Sequence, residues 1–180
     1  MAHIPPHISL IRDFVNTVEL DEVGSDTIST PGGLQAWLSE RGLTSLPPSR
    51  ADVARTAALR EALRTLLMAN NGLPVDTGEA RTVMENAARR AGVELRFDPT
   101  GSLVPEPTRE GTAAALGAIV AAASLSMQDG TWARLKACRA DTCHWAFYDQ
   151  ARNRSRAWCS MEVCGNRAKV RSYRRRHATA

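Results

Sequence analysis

The stretch CRADTCHWAFYDQARNRSRAWCSMEVCGNR, residues 138–167, decides how this chain is read. All four cysteines of the 180-residue sequence lie in it, spaced C-x4-C-x15-C-x4-C as Cys138, Cys143, Cys159 and Cys164. Each close pair can bend around one ion as a knuckle, and the segment between returns the chain to the same point. Zn²⁺ takes four thiolates in a tetrahedron at about 2.3 Å, and such a closed shell leaves no position for water. The expectation is therefore one structural zinc and no catalytic metal. Redox-active or disulfide cysteines, an iron–sulfur cluster and unrelated buried thiols are the alternatives, and His144 is a possible replacement ligand. So short a module buries little apolar surface, so chelation is expected to unfold residues 131–180.

Charge changes sign at the same place. Residues 131–180 hold 12 Lys/Arg against 3 Asp/Glu, a balance of +9, and six of the nine aromatic residues; residues 1–130 carry −5. An uneven basic segment has the electrostatic footprint of a nucleic-acid binder. Arg152, Arg154, Arg156, Lys169, Arg171, Arg174 and Arg175 are the candidate phosphate contacts, because the metal should bring the Arg152–Arg156 segment beside the basic C-terminal run. Around the cysteines, residues 134–137 and 145–148 read as a hairpin. Residues 165–176 read as a helix on which Val170 and Tyr173 cover that hairpin, a treble-clef-like layout.

Upstream the pattern is helical. Leu10, Phe14 and Val18, with Ile11 and Val15, predict a helix over residues 9–20. Thr30-Pro31 reads as a cap and first turn for Leu34, Trp37 and Leu38, stopped by Gly42. Ser49 and Asp52 resemble a capping box ahead of Val53, Ala57, Leu63, Leu66 and Leu67, with a stop at Asn70-Asn71-Gly72. A fourth helix is predicted over residues 77–91, ended by Gly92. Val93, Leu95 and Phe97 alternate before Asp98-Pro99-Thr100-Gly101, which predicts a small hairpin with Leu103 and Val104 opposite. A fifth, alanine-rich helix follows over residues 108–127. The fold class is thus mainly α: a helical domain with a small β-hairpin over 1–130, then a small treble-clef-like finger over 131–180. The apolar run 113–125 reads as too short and weak to cross a bilayer, and the start has no secretory pattern, so a cytoplasmic chain without membrane contact is expected.

The residues 138–176 resemble the CGNR zinc-finger family. The resemblance rests on Cys164-Gly165-Asn166-Arg167, on Trp145-Ala146-Phe147-Tyr148-Asp149, on Arg152-Asn153-Arg154-Ser155-Arg156, and on Trp158-Cys159-Ser160-Met161. A second basic residue is frequent in that family where this chain has Ala157, and serine where it has Ala151. The first difference removes a potential phosphate contact. The N-terminal part is similar to the ABATE domain, through Asp13-Phe14-Val15-Asn16-Thr17 and Leu34-x-x-Trp37-Leu38. The resemblance implies a bacterial stress-induced transcription regulator with a DNA-binding finger.

No nucleophile-and-base motif, phosphate loop or open metal site is present, so an enzyme is not expected. The readings compatible with the residues are a regulator binding duplex DNA, a zinc-stabilised module binding an acidic protein partner, and an RNA binder stacking bases on Trp145 or Tyr148. Asn166 and Arg167 are candidates for supporting the metal site, Arg167 by bonding knuckle carbonyls or Asp149. Arg12, Asp13, Asn16 and Thr17 are candidates for a small-molecule effector pocket, with plain helix surface as the alternative. A homodimer reading two half-sites is compatible with this size.

Overall fold

Proline sets where the first helix begins. In the computed structural model, which describes residues 4–20, 24–44 and 46–177, helix α1 runs Pro6–Val15, with Pro6 in its first turn. Residues 178–180 of the expected finger and residues 1–3 lie outside the described residues. The predicted helix over 9–20 is therefore shifted and shortened. Its end is set by Thr17, whose hydroxyl donates to the Phe14 carbonyl at 2.9 Å, after which Val18 bridges to Asp26. Ile8, Ile11, Phe14 and Val15 form the buried stripe.

Helix α2 (Pro31–Ser39) starts as read, with the Thr30 side chain accepting from the Gly33 amide at 3.1 Å. Its Trp37 tilts against Phe14 at 5.5 Å between ring centroids. Helix α3 (Arg50–Asn70) opens on the full capping box: the Ser49 amide donates to Asp52 at 2.8 Å, and the Asp52 amide to the Ser49 hydroxyl at 3.2 Å. Helix α4 (Gly78–Ala91) ends on Gly92 at a left-handed φ of +59°, where a Cβ would lie 2.5 Å from the Thr108 hydroxyl. The predicted hairpin follows as β1 (Val93–Phe97) and β2 (Leu103–Pro107), antiparallel with Phe97 opposite Leu103. Helix α5 (Gly111–Gln128) passes between α1 and α4 with β2 beside it.

By length and composition α5, with a mean hydropathy of 1.3 over 18 residues, is apolar enough to cross a membrane, as the core helix of a globular protein also is. Half of it is buried inside the fold. Ala115, Leu116, Ile119, Ala122 and Ala123 belong to the central core.

A single 3-10 turn, Trp132–Arg134, leads into β3 (Leu135–Ala137), which pairs antiparallel with β4 (Ala146–Tyr148). A π-type turn, Met161–Gly165, then runs into α6 (Asn166–His177). The result is mainly helical, with two small hairpins and a cysteine-bearing knuckle, hairpin and helix at the C-terminal end.

The large apolar core crosses residue 130. Leu135, Ala137 and Ala146 pack in the same cluster as Ile11, Phe14, Leu63 and Leu67. Side chains of the helices also hold the hairpin's backbone. The Asn16 amide group donates to the Ala146 carbonyl at 2.9 Å and accepts from the Ala146 amide at 2.7 Å, pairing as a neighbouring strand would. Asn70 donates to the carbonyls of Trp132 and Leu135, each at 3.0 Å, and Asn71 to those of Ala137 and Ala157 at 2.7 and 2.9 Å. Arg64, 4% exposed, spans from the Val15 carbonyl (2.7 Å) to the His144 carbonyl (3.0 Å).

Replacing Asn16 by alanine strands a backbone donor and acceptor in this seam. It is expected to cost about 2 kcal/mol, read as a melting temperature lower by roughly 4–8 °C. Amide exchange at Ala146 should quicken while bound zinc stays stoichiometric. An unchanged exchange rate at Ala146 would refute this role for the side chain.

Candidate metal centre and basic face

The two cysteine pairs arrive from different directions. Cys138 follows β3, and its amide donates to the Trp145 carbonyl at 3.0 Å, closing the hairpin over the first knuckle. The turn is tightened by the Cys143 amide donating to the Ala140 carbonyl at 2.9 Å, and by His144 at a φ of +48°. Cys159 precedes the π-type turn and Cys164 lies within it. Ser160 accepts the Val163 amide with its hydroxyl (3.3 Å) and the Gly165 amide with its carbonyl (3.0 Å).

All four Sγ atoms lie within 4.8 Å of one another. The separations Cys143–Cys159 and Cys159–Cys164 are 3.6 and 3.7 Å. A tetrahedron with metal–sulfur bonds of about 2.3 Å has edges of about 3.8 Å, whereas a disulfide bond is about 2.05 Å. The cluster therefore fits one ion of zinc's size, and all four cysteines are free of disulfides. Electrostatics agrees. Hydrogen bonds from Cys143 and Cys159 hold the Cys138 thiol far below its ordinary value; Cys138 in turn pushes Cys143 up to about 12, and pushes Cys159 up as well. The protein alone thus favours the Cys138 thiolate and resists those of Cys143 and Cys159, and a divalent cation removes that resistance. His144 stands outside the set, its Nδ1 3.2 Å from the Cys138 carbonyl.

One supporting role falls on a residue other than the one read for it. Arg167 is exposed and bonds no knuckle carbonyl or Asp149 among the described residues; α6 begins one residue earlier and carries it outward. Arg156 takes that place instead: its guanidinium donates to the Trp158 carbonyl at 2.8 Å and to the Cys159 carbonyl, and lies 5.0 Å from the centre of the Phe147 ring. That guanidinium is already engaged, unlike the other arginines grouped with it as phosphate contacts. Asn166 donates to the Glu162 carbonyl at 3.0 Å, within the turn that carries Cys164. Gly165 leaves room for Met161 and Trp158, since a Cβ there would sit 2.7 Å from the Met161 sulfur.

Missed altogether in the sequence was the ion pair beneath the 149–156 loop. Asp149 is fully buried and accepts from Lys136 Nζ at 2.7 Å, the Ala151 amide at 3.0 Å and the Arg156 amide at 3.0 Å. Lys136 also donates to the Arg154 carbonyl at 2.6 Å, and Arg134 to the carbonyls of Asp149 and Ala151, both at 3.1 Å. Only the Asp149 in the Trp-Ala-Phe-Tyr-Asp run hinted at it. The loop so held displays Arg152 and Arg154, both exposed.

Helix α6 has no buried residue. Val170 and Tyr173, read as covers for the hairpin, are 48% and 58% exposed; Tyr173 stacks on His177 at 4.0 Å instead. The helix rests on the π-type turn and projects from it. Arg171, Arg174 and Arg175 line, with Arg139 and Trp158, a cleft of about 490 Å³ between α6 and the finger body. Lys169 is exposed on the same helix. None of Lys169, Arg171, Arg174 and Arg175 forms an ion pair among the described residues.

Of the four residues read as an effector pocket, Asn16 and Thr17 spend their polar atoms inside the protein. Thr17 is buried and accepts from Arg60 at 3.2 Å. Arg12 and Asp13 pair with each other at 2.8 Å beside an open cleft between α1 and the finger.

Comparison with known families agrees with this construction. The CGNR zinc finger matches residues 134–177, which contain all four cysteines. The ABATE profile, described as "Putative stress-induced transcription regulator", matches residues 9–128. No curated protein matches the chain. With two thirds of its length under the ABATE profile and a structural zinc site formed by the four finger cysteines, the chain belongs to the ABATE family and carries a C-terminal CGNR zinc finger.

Proposed function

We propose that this chain is a transcription regulator that binds duplex DNA through its finger, with a helical part that senses a small molecule. The observation that carries the DNA half is α6: a projecting helix with no buried residue whose Arg171, Arg174 and Arg175 face Arg139 across one cleft, free of ion pairs among the described residues. Asp141 is the one acidic residue lining that cleft and pairs with none of these arginines among the described residues, so the cations of α6 suit a phosphate backbone, and the Arg152–Arg154 loop adds a second contact point. Trp145 and Trp158 pack against the cysteine cluster and Tyr148 against the main core, which favours duplex over base stacking on single strands. The metal shell is closed by four thiolates, in keeping with a chain that binds rather than catalyses.

Fluorescence anisotropy of the zinc-loaded protein against its own upstream DNA, a scrambled duplex, single-stranded RNA and an acidic peptide, across a salt series, tests this. Upstream DNA should win by roughly a thousandfold or more over the scrambled duplex. Replacing Arg171, Arg174 and Arg175 together by alanine should flatten the salt dependence by about three phosphate contacts without loss of zinc. Weak, equal binding to every polyanion would transfer the assignment to an acidic protein partner.

A further inference from the structure

Helices α3, α4 and α5 leave a pocket of about 300 Å³ between them, distinct from the cleft at α1. Its floor is apolar, formed by Leu59 and Leu116, which are 1% and 6% exposed, with half-buried Val83 and Ala87. Its outer lining is charged. Arg55 and Arg90 both reach it and are exposed, as is Asn86. Asp52 is the one acidic lining residue, and its carboxylate is already occupied by the Ser49 amide and hydroxyl and by Arg55 at 2.9 Å. Arg90 has no hydrogen bond or ion pair among the described residues. The lining therefore carries a net charge of +1, with an unpaired guanidinium above an apolar floor.

We infer that this pocket binds a small apolar monocarboxylate, with its carboxylate on Arg90 and Arg55 and its hydrocarbon body against Leu59 and Leu116. Guanidinium groups bind carboxylates with charge-assisted, often bidentate hydrogen bonds, and an apolar floor with few polar groups is the usual anatomy of a ligand pocket. The volume of about 300 Å³ is of the size a compact acid fills. The open cleft at α1 is the weaker rival, because its Arg12 is paired with Asp13 and its Arg156 with knuckle carbonyls, so it has no free guanidinium to match Arg90 among the described residues.

This inference rests on the sensing half of the proposed function, and helix α3 links the two. Its N-terminal half lines the pocket through Asp52, Arg55 and Leu59. Its C-terminal half grips the finger: Arg64 holds the His144 carbonyl, and Asn71, just past its end, holds those of Ala137 and Ala157. At 1.5 Å per residue Asp52 and Asn71, the two ends of that path, are about 28 Å apart along one unbroken helix and its cap. A ligand that shifts α3 against α4 therefore moves groups bonded to the finger.

The test uses zinc-loaded full-length protein and four probes: benzoate and phenylacetate, with benzamide and phenylacetamide as their uncharged counterparts. Methyl NMR reports directly, because Ala58, Leu59, Val83, Ala87, Ala113 and Leu116 all line the pocket. The acids should shift these methyls at least tenfold more tightly than the amides. Arg90→Ala should weaken the acids by at least tenfold and leave the amides unchanged, while Ala87→Phe, checked for melting temperature and zinc content, should abolish both by filling the space. Amides binding as tightly as acids, shifts confined to residues near Arg12, or no shift at millimolar acid would each overturn the inference. Upstream-DNA affinity is measured in parallel. Acid binding in the pocket with no change in DNA affinity leaves the site standing and removes the sensing reading, so the two fail separately.

Discussion

Removal of the metal is expected to release the two cysteine knuckles and α6 while the β3–β4 hairpin stays in place. The cluster around the site contains Cys138, Ala140, Cys143 and Cys164, with Trp145, Trp158 and Cys159 partly buried against it. Four of those seven residues are ligands, so without a metal almost no apolar core remains there. Structural zinc supplies on the order of 10–16 kcal/mol to such modules at neutral pH, far more than so small a cluster can replace. Chelation should therefore erase the near-UV ellipticity of Trp145 and Trp158 and the far-UV signal of α6. The sequence alone predicts loss of all of 131–180, and the structure narrows it. Leu135, Ala137 and Ala146 sit in the main core, and Asn16 bonds the Ala146 backbone, so β3 and β4 should stay paired and keep their exchange protection. Cys164→Ser should reproduce the effect in part, since a serine hydroxyl is a poor substitute for thiolate. Near-UV ellipticity retained after metal is shown to be gone would sink the argument.

Much of this molecule can be read in order along the chain, because its local signals are self-contained. The cysteine spacing predicts the metal site, Thr30-Pro31 and Ser49 with Asp52 predict the starts of α2 and α3, and Gly92 the end of α4. Each of these depends on partners within a few residues. The reading fails where the partner is remote. Arg60 and Arg64 look like the solvent face of α3, yet both are buried. Arg60 is paid for by a bidentate pair with Asp26 at 2.8 and 2.9 Å, and Arg64 by carbonyls of α1 and the finger. Asn16, at the end of α1, pairs with Ala146, 130 residues away. Arg156 and Arg167 are alike in the sequence, and only the path of the chain past Cys159 decides which one meets the knuckle carbonyls. Val170 and Tyr173 have the spacing of a buried stripe, but the π-type turn directs α6 away from the hairpin.

Loss of the Asp149 charge is expected to be the most damaging single substitution outside the metal ligands. Asp149 is fully buried and the Lys136 side chain is 7% exposed, so Asp149→Asn leaves a desolvated ammonium with only carbonyl partners. Breaking a buried pair in this way costs about 3–5 kcal/mol, read as a melting temperature lower by roughly 6–20 °C. The loop carrying Arg152 and Arg154 should lose its order, and the salt dependence of DNA binding should fall by about two contacts. The double variant Lys136→Met/Asp149→Asn is expected to recover much of the stability, since neither charge is then buried. Acid behaviour separates the partners. Burial alone would raise the Asp149 carboxyl, but the hydrogen bond and charge of Lys136 with the Ala151 and Arg156 amides outweigh it and hold the group below the usual carboxylate range. Its contribution is thus complete above the unfolded value of about 3.9, and is lost as pH falls through the lower folded value. In Lys136→Met the sign reverses: burial now raises the carboxyl, so the loss of stability is largest at neutral pH and shrinks on acidification. Denaturant titrations of wild type and Lys136→Met between neutral pH and pH 4 should therefore converge, and a constant gap across that range would show that the pair does not hold the loop through charge.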